Sequence, residues 1–322
     1  MQIVTQVKKC RVCGNANLVP ILSLGEQYAT NFVEADSKNL ATGPLDLVLC
    51  QTKDGGCGLL QMQHTFNHDL LYQQYWYQSG ISTTMVKALA DVAHNAQSLV
   101  KPAAGDIVVD IGANDGTLLR QYQITGLKTV GFEPSNLYKL GEKGNFKIIH
   151  DYFNYPAFKK EFGSAKAKII TAISMFYDLE DPNTFVEDAR KVLADDGVFI
   201  IQMNYLVLML ENNTFDNISH EHLEYYSLFS LENLLSRHDL EVFDVELNDV
   251  NGGSIRTYVK HKGASVKESA GAKQRLLAQR EVEKKLGLDD KSVYAQFAKR
   301  ISAIKTRLHS FLEREKKMKI VI

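Results

Sequence analysis

From residue 107 onward, short apolar runs alternate with amphipathic stretches. The runs are IVVDIG (Ile107–Gly112), TVGFEP (Thr129–Pro134), FKIIH (Phe146–His150), IITAIS (Ile169–Ser174) and GVFIIQM (Gly197–Met203). Unbroken apolar runs of this length read as strands buried on both faces. The segments between them read as helices; residues 182–194 are one, with Pro182 at its first turn. Strand and helix in alternation predict an open, mostly parallel sheet with helices on both sides, an α/β fold. EVFDVEL (Glu241–Leu247) and SIRTYVKH (Ser254–His261) read as an antiparallel pair closing one edge. Beyond residue 263 the chain is charged and periodic. Leu276, Leu277, Val282 and Leu286 predict one helix, and Phe297, Ile301, Ile304, Leu308 and Leu312 share a face of the next, with a break at Asp289 or Asp290. KIVI, at Lys319–Ile322, reads as the start of a further strand, as if another domain followed.

The first half is organised differently. Four cysteines all fall within the first 57 residues. Cys10 and Cys13 form a C-x-x-C knuckle before Gly14; Cys50 ends the apolar run LDLVL, and Cys57 precedes Gly58. Four clustered thiols in a chain without other cysteines suggest a closed tetrahedral zinc site of structural type. Free thiols or an iron–sulfur centre are the alternatives. His64 and His68 stand close by in sequence but are not needed as ligands. The domain reading is a zinc-binding unit at 1–65, helical linkers at 66–100, an α/β domain at 101–262 and a helical segment at 263–322. The linker stretch YQQYWYQSGISTTM (Tyr72–Met85) offers tyrosines that suit either a core or the wall of a polar pocket.

The chain carries 45% hydrophobic and 23% charged residues and a net charge of −1. This balance gives no electrostatic footprint for nucleic acid or an anionic membrane. No apolar run is long enough for a membrane span, and MQIVTQVKKC lacks a signal-peptide pattern. The expectation is a cytoplasmic protein with a small-molecule substrate and no nucleic-acid or membrane partner.

The chemistry concentrates in two places. In VVDIGANDGTLL (Val108–Leu119) a strand ends at Asp110, and a turn through Gly112, Asn114, Asp115 and Gly116 leads to a predicted helix at Thr117–Leu119. The turn lacks the G-x-G-x-x-G spacing of a dinucleotide site. About one strand later Glu133 follows another apolar run, where a carboxylate can accept both ribose hydroxyls of a nucleoside. The second place is FDNISHEHLEYYS (Phe215–Ser227). His220 and His222 suit metal binding, structural hydrogen bonding or, as the stronger reading, general-base work near neutral pH. Glu221 or Glu224 would orient the imidazole. In NGGSIR, Asn251 precedes two glycines and Arg256 could pair with a phosphate, unless it is a solvated arginine after a hairpin turn.

The glycine-rich turn with Glu133 resembles motif I and the ribose-binding acid of class I S-adenosylmethionine (SAM) methyltransferases. With the four cysteines, YQSG at Tyr77–Gly80, the HEH segment and the GGSIR loop, the chain resembles sugar C-methyltransferases acting on nucleotide-linked 4-keto deoxysugars. That family has a zinc module, a central SAM domain with a Rossmann-like sheet, and a C-terminal Rossmann-like domain. The resemblance implies SAM held by Asp110, Gly112, Asn114, Asp115 and Glu133, with Asp151 near the adenine. It implies His222 as base, Glu221 beside it, Tyr77 at the sugar, and His220, Asn251 and Arg256 on the substrate. The family's reaction is removal of a proton beside a ketone and methylation of the resulting enolate. Three positions depart from the family: Ser219 stands where it has Tyr before HEH, Tyr177 is what the SMFYDLED segment offers where it often has His, and Asn251 replaces a His. Tyr177 and Tyr77 are the candidate replacements for the missing oxyanion donor. Without such a donor, O- or N-methylation of a sugar or small metabolite is the alternative.

Overall fold

The apolar runs assemble into one sheet. The computed structural model describes residues 3–29, 40–72, 75–141, 144 and 146–317. Its strands, in chain order, are β1 (Val4–Gln6), β2 (Leu18–Tyr28), β3 (Thr42–Cys50), β4 (Leu60–Met62), β5 (His64–Phe66), β6 (Ile107–Ile111), β7 (Lys128–Phe132), β8 (Lys147–Ile149), β9 (Ala167–Ile173), β10 (Leu193–Asn204), β11 (Glu224–Tyr225), β12 (Leu240–Asn248) and β13 (Ser254–His261). The helices are α1 (His68–Tyr72), α2 (Thr83–Val100), α3 (Tyr138–Gly141), α4 (Tyr155–Phe162), α5 (Pro182–Val192), α6 (Leu206–Asn212), α7 (Leu228–Ser236), α8 (Ala272–Leu286) and α9 (Lys291–Lys317).

Seven strands run in the order β12-β13-β10-β9-β6-β7-β8. The five from β8 to β10 are mutually parallel; β13 lies antiparallel between β10 and β12. Every residue of β6 is buried, which is why its sequence does not alternate. From β6 the chain builds outward through β7 to β8, then crosses back to β9 on the other side. The switch between β6 and β9 leaves a crevice at the carboxyl ends of the strands.

The N-terminal module is a four-stranded sheet, β11-β4-β3-β2, with β1 and β5 paired beside it. Its edge strand β11 comes from the HEH segment, more than 150 residues later in the chain. Leu223 joins the two sheets: its N–H donates to the Tyr177 carbonyl, and its carbonyl accepts from Met62 N–H. The histidine segment is therefore tied both to the small sheet and to the 3-10 turn that follows β9 of the large one. Pairing of this kind leaves no sequence periodicity to read.

Three expectations change. No α-helix follows β6; the chain makes turns and a single 3-10 turn at Leu119–Gln121. Asn114 and Gly116 adopt positive φ, and the Asp115 carboxylate accepts from Thr117 N–H, so the backbone there cannot continue as α-helix. In α8, Leu276 is buried but Leu277 and Val282 are exposed. In α9, Phe297 and Ile301 are buried, whereas Leu308 and Leu312, on the same face, are exposed. The expected strand at 319–322 lies outside the described residues, as does the side chain of His68.

α8 is fixed by a buried carboxylate. Glu283 accepts from the Tyr205 hydroxyl and from the N–H groups of Leu228 and Phe229 in the first turn of α7. These are donors a helix start leaves unpaired, and a negative group suits that end. E283A would leave three donors unpartnered, two of them buried, so a loss of about 3 kcal/mol is expected, read as a lower urea midpoint. E283Q should recover part of it, and an unchanged midpoint in E283A would contradict this assignment.

Candidate functional site

A cavity of about 700 Å³ occupies the crevice, within the range of roughly 300–1,000 Å³ usual for small-molecule sites. Its floor is the turn after β6. Gly112 has φ +69°, and a Cβ there would sit 3.1 Å from the Met175 side chain. Asn114 N–H donates to Glu133 at 2.7 Å, and the other Glu133 oxygen accepts from Ser135 N–H at 2.8 Å. Two main-chain donors thus aim this carboxylate at the cavity, with lone pairs to spare.

The same turn holds the YQSG segment. Asn114 Oδ1 accepts from Ser79 N–H, and its Nδ2 donates to the Tyr77 carbonyl at 2.9 Å. Asp115 accepts from Gly80 N–H at 2.8 Å. A Cβ on Gly80 would lie 2.7 Å from that carboxylate oxygen, so only glycine lets the segments meet. Tyr77 and Ser79 are thereby placed on the cavity wall.

Of the residues expected to bind a cofactor, Gly112, Asn114 and Glu133 line the cavity. Asp110 and Asp115 do not. Asp110 lies within the sheet, where the Thr171 hydroxyl donates to it at 2.6 Å and burial pushes its carboxyl up to about 7. Asp115 is spent on tying the turn. Asp151 is exposed and accepts from Tyr152 N–H; Tyr152, Phe153 and Asn154 reach the wall instead.

The opposite wall carries His222, Tyr177, Asn217 and Asn251. His222 Nδ1 lies 2.6 Å from the Asn217 carbonyl. A carbonyl only accepts, so Nδ1 carries the proton and Nε2 keeps its lone pair. Burial lowers the imidazole from its ordinary value to about 4. Tyr177 packs edge-on against the ring, 4.4 Å between centroids.

Several expected roles shift. A main-chain carbonyl orients His222, not Glu221 or Glu224. Glu221 does not line the cavity; burial pushes it up to about 7. Glu224 is buried on β11, 3.8 Å from Arg11. His220 is turned into the module, where Nε2–H donates to the Gly43 carbonyl and the ring packs on Phe66. Arg256 is buried in the sheet, donating to Gln202 and pairing with Asp91 and Glu246, so it is not free for a phosphate. The loop residue Asn251 does reach the site, donating to the Ser174 hydroxyl.

Residues that sequence reasoning passed over complete the wall. Tyr75 and Asp178 line it, as do Ser174, held at φ +55° after β9, and Asn204, which donates to Asn217 at 2.7 Å. The lining includes six acidic side chains, Glu133, Asp178, Glu180, Asp181, Asp188 and Asp216, and no lysine or arginine among the described residues. Such a wall suits the sulfonium and ammonium of SAM. With Glu133 placed for the ribose, the residues fit that cofactor.

The four cysteines form a separate centre. Their Sγ atoms all lie within 4.8 Å of one another, with Cys10–Cys57 at 3.5 Å and Cys13–Cys50 at 3.4 Å. Zn–S bonds of about 2.3 Å require tetrahedral S···S edges of about 3.8 Å. The cluster fits a structural zinc with all four positions filled by protein. His64 is not part of it and faces Asp46 at 3.7 Å. Chelation or C13S should remove one zinc per chain, measured by metal analysis, and lower the thermal midpoint. It should also abolish methyl transfer, because β4 carries the histidine strand. Full activity with no zinc would contradict the structural role.

Comparison with known proteins agrees with this geometry. Residues 83–245 match the family model described as methyltransferase domain, residues 10–72 a zinc binding domain, and residues 249–322 a C-methyltransferase C-terminal domain. The C-methyltransferase NovU of Streptomyces niveus is 29% identical over 321 residues, covering 96% of this chain and 73% of that protein. Among solved structures, a SAM-dependent methyltransferase from Clostridium acetobutylicum aligns with TM-score 0.44 and 13% identity, over 55% of this chain and 92% of that one. The plantazolicin methyltransferase BpumL in complex with SAH aligns with TM-score 0.42 and 15% identity, over 56% of this chain and 84% of its own. The chain belongs to the SAM-dependent methyltransferases whose class I domain is joined to a four-cysteine zinc-binding domain and a C-methyltransferase C-terminal domain.

Proposed function

We propose that the protein methylates carbon beside the ketone of a nucleotide-linked 4-keto deoxysugar, with His222 as general base. The observation that carries the reading is the state of His222. Its Nδ1–H is anchored on the Asn217 carbonyl and its unprotonated Nε2 belongs to a cavity-lining ring. A neutral imidazole so fixed is ready to accept a C–H proton. Tyr177 against the ring and Tyr77 on the wall are two of the cavity's phenols, and this reading assigns them to the sugar. SAM, when bound, supplies an electrophilic methyl group. In this reading the units at 1–65, 66–100, 101–262 and 263–322 frame one active site, and the reaction is cytoplasmic.

The cation-free wall bears on the acceptor. A diphosphate finds no counter-charge among the described residues of the cavity, so in this reading the sugar ring enters and the phosphates stay outside. The same observation favours a second reading, O- or N-methylation of a neutral or cationic small metabolite. Mass spectrometry and NMR of products from nucleotide-linked 4-keto sugars in D2O separate the two. A methyl on carbon, with deuterium entering the adjacent C–H of unreacted sugar, supports the first. A methyl on oxygen or nitrogen without exchange supports the second.

For the base, H222A should lose about 10²–10⁴-fold in kcat while SAM affinity, followed by calorimetry, is unchanged. His222 is lowered by burial, so its basic form persists down to acid pH. The acid limb of kcat/KM should lie near pH 4. A limb near the ordinary histidine value of about 6.5 would contradict the assignment.

A further inference from the structure

We propose that Asp178 is a second catalytic group: as a neutral carboxylic acid it donates a hydrogen bond to the acceptor oxygen on which negative charge develops when His222 takes the proton. The proposal rests on the enolate reading above and deepens it by naming the oxyanion donor.

The placement comes first. Asp178 ends the 3-10 turn Phe176–Asp178 that follows β9, and it lines the cavity. Tyr177, one residue before it, gives its carbonyl to Leu223 N–H, one residue after His222. A single hydrogen bond between neighbours thus sets Asp178 and His222 on the same wall. Oδ1 of Asp178 is buried and has no hydrogen-bond partner among the described residues. A buried polar atom left without a partner at a cavity wall is costly unless a ligand satisfies it.

The surroundings decide the protonation state. Glu221 and Glu224 face Asp178 from the histidine strand, and Tyr72, Tyr75, Tyr177 and Tyr225 face it from the linker, its own turn and β11. No lysine or arginine lines this wall among the described residues. Burial and the two glutamates raise the carboxyl well above its ordinary range. A carboxyl kept neutral in an apolar, anionic setting is a hydrogen-bond donor rather than a counter-charge.

The step balances without a further reagent. The proton at the carbon beside the ketone passes to His222 Nε2. The C–H pair becomes the new C=C bond, and the carbonyl π pair moves to oxygen, where the Asp178 O–H donates to it. The enolate carbon then forms its bond to the methyl group; the sulfur keeps the pair of the broken S–C bond, and the carbonyl re-forms. The proton on His222 leaves to solvent.

The test is deuterium exchange and turnover with a nucleoside-diphosphate-linked 4-keto-6-deoxyhexose, in wild type, D178A and D178N. Removing one oxyanion donor costs about 10²–10³-fold in kcat. D178A should show that loss in both exchange and kcat, with KM and SAM affinity little changed. D178N, which keeps an N–H donor, should recover part of the rate. Wild type should also lose rate at high pH as Asp178 ionises, and D178N should lack that alkaline limb. Exchange in wild type with undiminished exchange in D178A would overturn the Asp178 assignment alone. Equal defects in D178A and D178N with no change in the alkaline limb would also overturn it, marking a packing role. No exchange in wild type would overturn the enolate reading and this assignment with it.

Discussion

The peptide of Leu223 is bonded on both sides, to Tyr177 at the end of the large sheet and to Met62 in the zinc module. The rest of the site depends on this double bond. It fixes His222 one residue before and Tyr177 directly opposite. It also draws Glu224 and Tyr225 into the small sheet as its edge strand. The zinc module is thereby tied to the segment that carries His222. Four thiolates shape the loops around β3, β3 pairs with β4, and β4 carries the histidine strand. The module and the position of His222 are therefore coupled through β4 and β11.

The cofactor side shows the same economy. Asn114 uses its main chain to aim Glu133 and its side chain to hold the YQSG segment. Gly80 allows the two backbones to meet. A single turn therefore organises both the cavity-lining Glu133 and the segment that carries Tyr77. The turn does this without an α-helix behind it. Its main-chain N–H groups are all taken up within the protein: those of Gly112 and Ala113 by the Phe132 carbonyl, and those of Asn114 and Thr117 by the Glu133 and Asp115 carboxylates.

Much of this was legible because it is local. Strands buried on both faces leave unbroken apolar runs, so β6, β7, β9 and β10 could be read directly. The edge hairpin of β12 and β13, the Cys10-x-x-Cys13 knuckle and the Gly112–Glu133 pair were equally visible. What escaped notice depends on long-range pairing. Nothing in HEHLEY announces that Glu224 and Tyr225 will pair with Leu60 and Gln61. The ring of His220 points into the module while His222, two residues on, lines the cavity; spacing alone does not say which. Arg256 looked available because its partners, Asp91, Gln202 and Glu246, come from three other elements. Asp178 was passed over beside Tyr177 in SMFYDLED; its place on the cavity wall and its burial without a partner among the described residues single it out. The exposed half of α9 shows that a continuous apolar face need not be buried along its whole length.

The central claim is that His222 stands in the cavity as a neutral imidazole with its proton on Nδ1. Nitrogen-15 NMR of the His222 ring, assigned by comparison with H222A, reads both properties in the intact protein. The account predicts the Nδ1–H tautomer and no titration between pH 5 and 8, with protonation only towards pH 4. An Nε2–H tautomer, or titration near the ordinary histidine value, would contradict it.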